Sequence, residues 1–124
     1  MKDGFLKAAA LSPSLRVADC AYNTSQILSQ LKDAAARGDR IAAICAAPSI
    51  LGHMGLLNGR RAVCFPGYEQ ELSGAEIVSE PVVADGNIIT SKGAGTANHF
   101  AFALVASLLG QERADSLKAA LQWE

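Results

Sequence analysis

Apolar residues recur at two different periods along this chain, and each change of period marks an element. After Asn23, the residues Ile27, Leu28, Leu31 and Ala35 fall on one side of a 3.6-residue repeat, which predicts an amphipathic helix. Asn23 and Gln26 have capping-box spacing at its start, and Arg37-Gly38 makes a normal stop. Ile41-Ala42-Ala43-Ile44 then runs without polar alternation, the pattern of a parallel strand buried on both faces. Pro48 to about Met54 predicts a short helix ended by Gly55, because Pro suits a first helical turn. Ala62 to Phe65, Glu76 to Val78 and Val82-Val83 read as short strands. Asp85-Gly86 marks a tight turn before a strand over Asn87 to Ser91. Past Gly93-Ala94-Gly95-Thr96, a helix with Ala97, Phe100, Ala101, Leu104, Val105 and Leu108 on one face runs to Gly110. A last helix turns Ala114, Leu117 and Leu121 inward and ends near Trp123. Alternating helices and short buried strands imply a layered α/β domain.

Residues 1 to 21 lack such a pattern. Ala8 to Leu11 could form one helical turn, but Pro13 disfavours helix at the residue before it. This stretch reads as an atypical leader, with the domain proper over residues 22 to 124.

Composition narrows the function classes. Of 124 residues, 50% are hydrophobic and 19% charged, enough apolar material for one packed core. Eleven Lys and Arg face twelve Asp and Glu, a net charge of −1, which gives no basic excess for nucleic acid. The apolar stretch from Phe100 to Leu109 is too short for a membrane span of ~20 residues. The first seven residues are too charged for a signal peptide. Three cysteines do not make a disulfide framework. A reduced, cytoplasmic protein is expected.

Cys45 carries the clearest chemistry. It lies between a buried strand and a helix start, with Ala43 two residues before it and Ala47 two after. Small residues at those positions permit the sharp strand-to-helix turn of a nucleophile elbow. The helix that follows aims backbone N–H groups at the sulfur, an environment that favours a reactive thiolate. Read without further context, a structural buried cysteine is an equal alternative.

Ile41-Ala42-Ala43-Ile44-Cys45-Ala46-Ala47-Pro48 resembles the cysteine elbow of the ThiJ/PfpI superfamily, the group of the Parkinsonism-associated deglycase and the bacterial YajL-like proteins. Leu56 to Arg61 followed by Cys64-Phe65-Pro66-Gly67 is similar to that family's next loop and strand. Val83 to Ser91 with Gly93 to Thr96 is similar to its late hairpin and glycine loop. The resemblance covers about residues 20 to 124, and the ordered combination is far more specific than any one motif. It implies a flavodoxin-like three-layer α/β sandwich of the class I glutamine amidotransferase-like type. Cys45 is then the reactive cysteine, and Ala46, Gly93, Ala94, Gly95 and Thr96 wall its pocket or hold an oxyanion.

The resemblance also implies parts this chain does not show. An acidic residue and a Pro-Gly-Gly loop normally precede the elbow, yet no Glu occurs before Glu69. The chain therefore reads as an N-terminally truncated version of the fold. Phe65-Pro66 stands where many members carry a His, which removes the simplest Cys–His pair. His99, just after the glycine loop, is the remaining auxiliary candidate with Phe65 and Pro66. His53 reads as structural or exposed, and the two histidines make no metal site.

Three functions follow as expectations. The first is cofactor-independent glyoxalase or protein deglycase chemistry, with Cys45 attacking methylglyoxal or an early glycation adduct, weak in a truncated chain. The second is a non-enzymatic sensor of oxidative stress, or a chaperone-like protein, with Cys45 as its redox-active thiol. The third is an inactive remnant. The partners implied are a small reactive carbonyl or a glycated protein and a second copy of the chain, with no membrane and no clear nucleic-acid binding.

Overall fold

The computed structural model describes residues 13–124, so the helical turn considered at Ala8 to Leu11 lies outside the described residues. The chain divides into two compact units, Met1–Arg40 and Ile41–Glu124.

The first unit is built on helix α1, Cys20–Ala36. It starts three residues before the expected Asn23. The reason is Asp19, whose carboxylate accepts the Tyr22 N–H at 2.9 Å and supplies the N-cap. Asn23 instead closes the preceding turn: its side-chain oxygen accepts Arg16 N–H and its amide donates to Arg16 O. Gly38 follows the helix at φ +70°, the left-handed stop expected there.

The second unit holds the sheet. Strand β1 (Ile41–Ile44) leads through the Cys45 turn into helix α2 (Pro48–His53), with Gly55 at φ +73° just beyond. Two-residue strands β2 (Arg61–Ala62) and β3 (Glu76–Ile77) pair in parallel. Strands β4 (Val82–Asp85) and β5 (Ile88–Ser91) form an antiparallel hairpin closed by Gly86-Asn87. Gly86 alone of that pair has positive φ, +60°, as a type II′ turn requires. β5 also pairs in parallel with β1, Ile41 opposite Ile88 and Ile44 opposite Ser91, so the order is β1-β5-β4. Helices α3 (Ala97–Leu109) and α4 (Gln111–Ala120) follow, joined at Gly110, and α3 packs on all three strands.

Four expectations change. All four residues of the central strand β5 are buried, so it is β5, with a neighbour on each edge, that is enclosed on both faces. In β1, Ile41 and Ala43 are buried, Ala42 is exposed and Ile44 lies between. The segment expected as a strand over Ala62 to Phe65 pairs only at Arg61–Ala62. Beyond that, Val63 N–H goes to Thr90 Oγ1 at 3.0 Å and Phe65 N–H to Cys45 O at 2.8 Å, cross-links rather than a ladder.

In α3 the buried residue is Phe102. The face expected from Ala97, Phe100, Ala101, Leu104, Val105 and Leu108 is half-buried or exposed. The helix is apolar nearly all round, so its period carries no direction. In α4, Ala114 is fully buried while Leu117 and Leu121 are exposed, because α4 meets α3 along the Ala114 side. Among the described residues, no helix is long and apolar enough to cross a membrane.

Candidate functional site

Cys45 sits at the strand-to-helix turn with φ +68°, a left-handed conformation that costs a non-glycine residue about 1–2 kcal/mol. Its neighbours hold it there. Cys45 N–H donates to Ser91 O at 3.0 Å, extending the β1–β5 ladder one residue past the strand. Cys45 O accepts Phe65 N–H at 2.8 Å. The turn then tightens as Ala47 N–H donates to Ile44 O at 3.2 Å, and Ser49 Oγ donates to Ala46 O at 2.7 Å. The thiol is free and half-buried.

Ala46 N–H donates to no group among the described residues. The amide that follows the nucleophile is the donor an elbow offers to a developing oxyanion. Pro48 has no N–H, so the first turn of α2 competes for nothing there.

The glycine loop comes to the same place through Ser91. Ser91 Oγ donates to Pro81 O at 2.8 Å and lies 2.7 Å from Thr96 Oγ1. Thr96 Oγ1 in turn accepts Gly93 N–H at 3.1 Å and reaches Gly93 O at 2.9 Å. Ala94–Thr96 is a single 3₁₀ turn, so the hydroxyl of Thr96 folds the loop back on its own start. Gly93 is extended, and a methyl group added there would lie 3.3 Å from the Phe65 ring. Cys45, Phe65, Gly93 and Thr96 are thus brought together on one set of contacts, with Ser91 as the hub. Ser91 was missed in the sequence because it looks like the end of an apolar strand. The signal that could have found it is two polar residues, Thr90 and Ser91, closing a fully buried run.

The histidines fall elsewhere. His99 is exposed on α3 and meets Trp123 edge-on at 5.6 Å between centroids. Among the described residues no hydrogen bond joins it to Cys45. His53 is exposed and hydrogen-bonds Glu71. No group of three or more His, Cys, Asp or Glu among the described residues could hold a metal ion.

A cavity of about 220 Å³ opens beside the elbow rather than on it. It is lined by Val63, Cys64, Pro66, Glu69, Val78 and Lys92, among others, and not by Cys45. Burial pushes the Cys64 thiol above its ordinary pKa of 9.0, Glu69 adds to the rise, and the Tyr68 backbone N–H opposes it.

A sequence profile of the DJ-1/PfpI family matches residues 16–107. The chain is 45% identical over 75 residues to Protein DJ-1 homolog B of Arabidopsis thaliana, covering 59% of this chain and 17% of that protein. It is 33% identical over 104 residues to Glutathione-independent glyoxalase DJR-1.2 of Caenorhabditis elegans, covering 82% of this chain and 53% of that protein. The crystal structure of Drosophila melanogaster DJ-1beta superposes with a TM-score of 0.72 at 35% identity, over 79% of this chain and 54% of that one. The chain spans about half the length of these last two relatives and less of the first.

Proposed function

The chain belongs to the DJ-1/PfpI family and has its flavodoxin-like α/β fold, and from that premise we propose that Cys45 performs cofactor-independent glyoxalase chemistry on small reactive carbonyls. The single observation that carries the reading is Cys45 at φ +68°, with the Ala46 N–H left unpaired beside it. The named activity of the Caenorhabditis elegans relative supports it.

In this reading the Cys45 thiolate adds to the aldehyde carbon of methylglyoxal, and the oxygen collects a proton to give a hemithioacetal. In this reading the unpaired Ala46 N–H is the donor offered to the developing oxyanion, and the Gly93–Thr96 turn walls the pocket. A proton then moves from the former aldehyde carbon to the neighbouring carbonyl carbon, leaving a thioester of a hydroxy acid. Water cleaves that thioester and restores the thiol. One carbon is oxidised as the next is reduced, so the sum is addition of water and no external oxidant is consumed. An early glycation adduct, the deglycase substrate, presents the same carbon to the same sulfur.

Among the described residues no acidic side chain bonds the Cys45 sulfur, so turnover is expected to be slow. We also read the chain as associating with a second copy, since Leu108, Leu109, Leu117 and Leu121 are exposed on α3 and around α4. Two measurements test the function together. A time course of thiol alkylation read by mass spectrometry should label Cys45 ahead of Cys64 and Cys20. Methylglyoxal consumption should disappear in Cys45→Ala. Consumption that survives the substitution overturns the cysteine mechanism.

A further inference from the structure

We propose that the cavity lined by Cys64 and Lys92 is a subsite for a carboxylate, so that the carbonyl compounds this chain prefers carry one. The proposal rests on the reading of Cys45 as the nucleophile and adds a substrate class to it.

Position comes first. Phe65 donates to the carbonyl of Cys45 and Ser91 accepts its amide. Cys64 and Lys92, which line the cavity, are the chain neighbours of those two residues. The cavity is therefore lined by the chain neighbours of the two residues whose backbone hydrogen bonds hold the elbow.

Charge comes next. One acidic and one basic side chain line the cavity, Glu69 and Lys92. Glu69 Oε2 already accepts Gly67 N–H at 2.7 Å. Lys92 forms no ion pair or side-chain hydrogen bond among the described residues. An entering ligand meets the Glu69 carboxylate, already engaged by the Gly67 N–H, and the exposed Lys92 ammonium, which has no side-chain partner among the described residues. The Cys64 thiol, held protonated at neutral pH, adds no negative charge. Val63, Ile77 and Val78 supply apolar wall. A cation of this kind selects a carboxylate over a neutral group of the same size.

The test uses the full chain carrying Cys45→Ala, so that binding is read whether or not Cys45 turns anything over. Pyruvate, with a carboxylate beside a carbonyl, is titrated while backbone amide NMR shifts are followed; hydroxyacetone is the uncharged probe. Saturable shifts at Val63, Cys64 and Val78 are expected with pyruvate and not with hydroxyacetone. Lys92→Gln should raise the Kd for pyruvate about tenfold, and Lys92→Arg should keep it near the starting value. Equal shifts with both probes, no saturable shift in these residues, or a Kd unmoved by Lys92→Gln each overturn the subsite. Because Cys45 is absent throughout, such a failure leaves the glyoxalase reading standing. Loss of turnover in the unsubstituted chain would likewise leave the subsite standing.

Discussion

The amide of Cys45 donates to the carbonyl of Ser91 at 3.0 Å, so the elbow residue hangs on the end of the strand that the rest of the sheet encloses. Ser91 is fully buried, and its hydroxyl ties the same residue to Pro81 and to Thr96. The elbow and the glycine loop thereby meet at one residue, the first through its carbonyl and the second through its hydroxyl.

Replacing Ser91 by Ala leaves Pro81 O and Thr96 without that partner. A loss of about 1–3 kcal/mol in unfolding free energy is expected, with slower Cys45 alkylation in the protein that remains folded. Urea unfolding and an iodoacetamide time course measure the two effects. An unchanged alkylation rate would show that the elbow is held without the hydroxyl.

The backbone at Cys45 separates chemistry from stability. Cys45→Ala and Cys45→Gly both remove the thiol, but only glycine relieves the left-handed φ. The glycine variant should be about 1 kcal/mol more stable than the alanine variant, and both should be inactive. Equal stabilities in denaturant would mean that the turn stores no strain.

Two glycines make an internal control. A methyl group on Gly52 would lie 2.2 Å from Glu71 O, whereas one on Gly95 meets nothing within 4 Å. Gly52→Ala should cost about 1–3 kcal/mol, because α2 must move off the Glu69–Glu71 turn. Gly95→Ala should melt within a degree or two of the parent. A tolerant Gly52 would contradict the packing of α2.

Cys64 gives a pH dependence. Its thiol pKa is raised above 9.0 by burial and then by Glu69, so the folded state holds the proton more tightly than the unfolded chain. The stability this gives is complete below pH 9 and is lost as pH rises through the higher folded value. Melting temperatures from about pH 8 to about pH 11 should fall less steeply in Cys64→Ala than in the parent. Parallel curves would remove Cys64 from the account.

Where punctuation residues stand, the elements were legible. Pro48 and Gly55 bound α2, Gly86 turns the hairpin, and Gly110 ends α3. The face of α3 was not, since a helix of Ala, Leu, Val and Phe offers no polar side to orient it; tertiary packing buries Phe102, whose ring meets Trp123 and Lys118. The start of α1 went to Asp19 because a carboxylate one residue before the first turn outcompetes an amide placed within it. The sharp turn at Cys45 was readable from the small residues around it. Ser91 and Lys92 were not, because the partners of Ser91 and the residues that share the cavity with Lys92 come from distant parts of the chain, beyond the reach of any local pattern.

The parallel pairing of β1 with β5 has a temporal side. Cys45 and the Ser91 carbonyl that holds it are 46 residues apart in the chain. A ribosome adding roughly 5–20 residues per second releases the thiol seconds before it releases the strand that shapes it. Until Ser91 emerges, the Cys45 amide lacks the acceptor that holds it in the folded chain. The backbone of the elbow is thus completed only after synthesis has passed the last strand of the sheet.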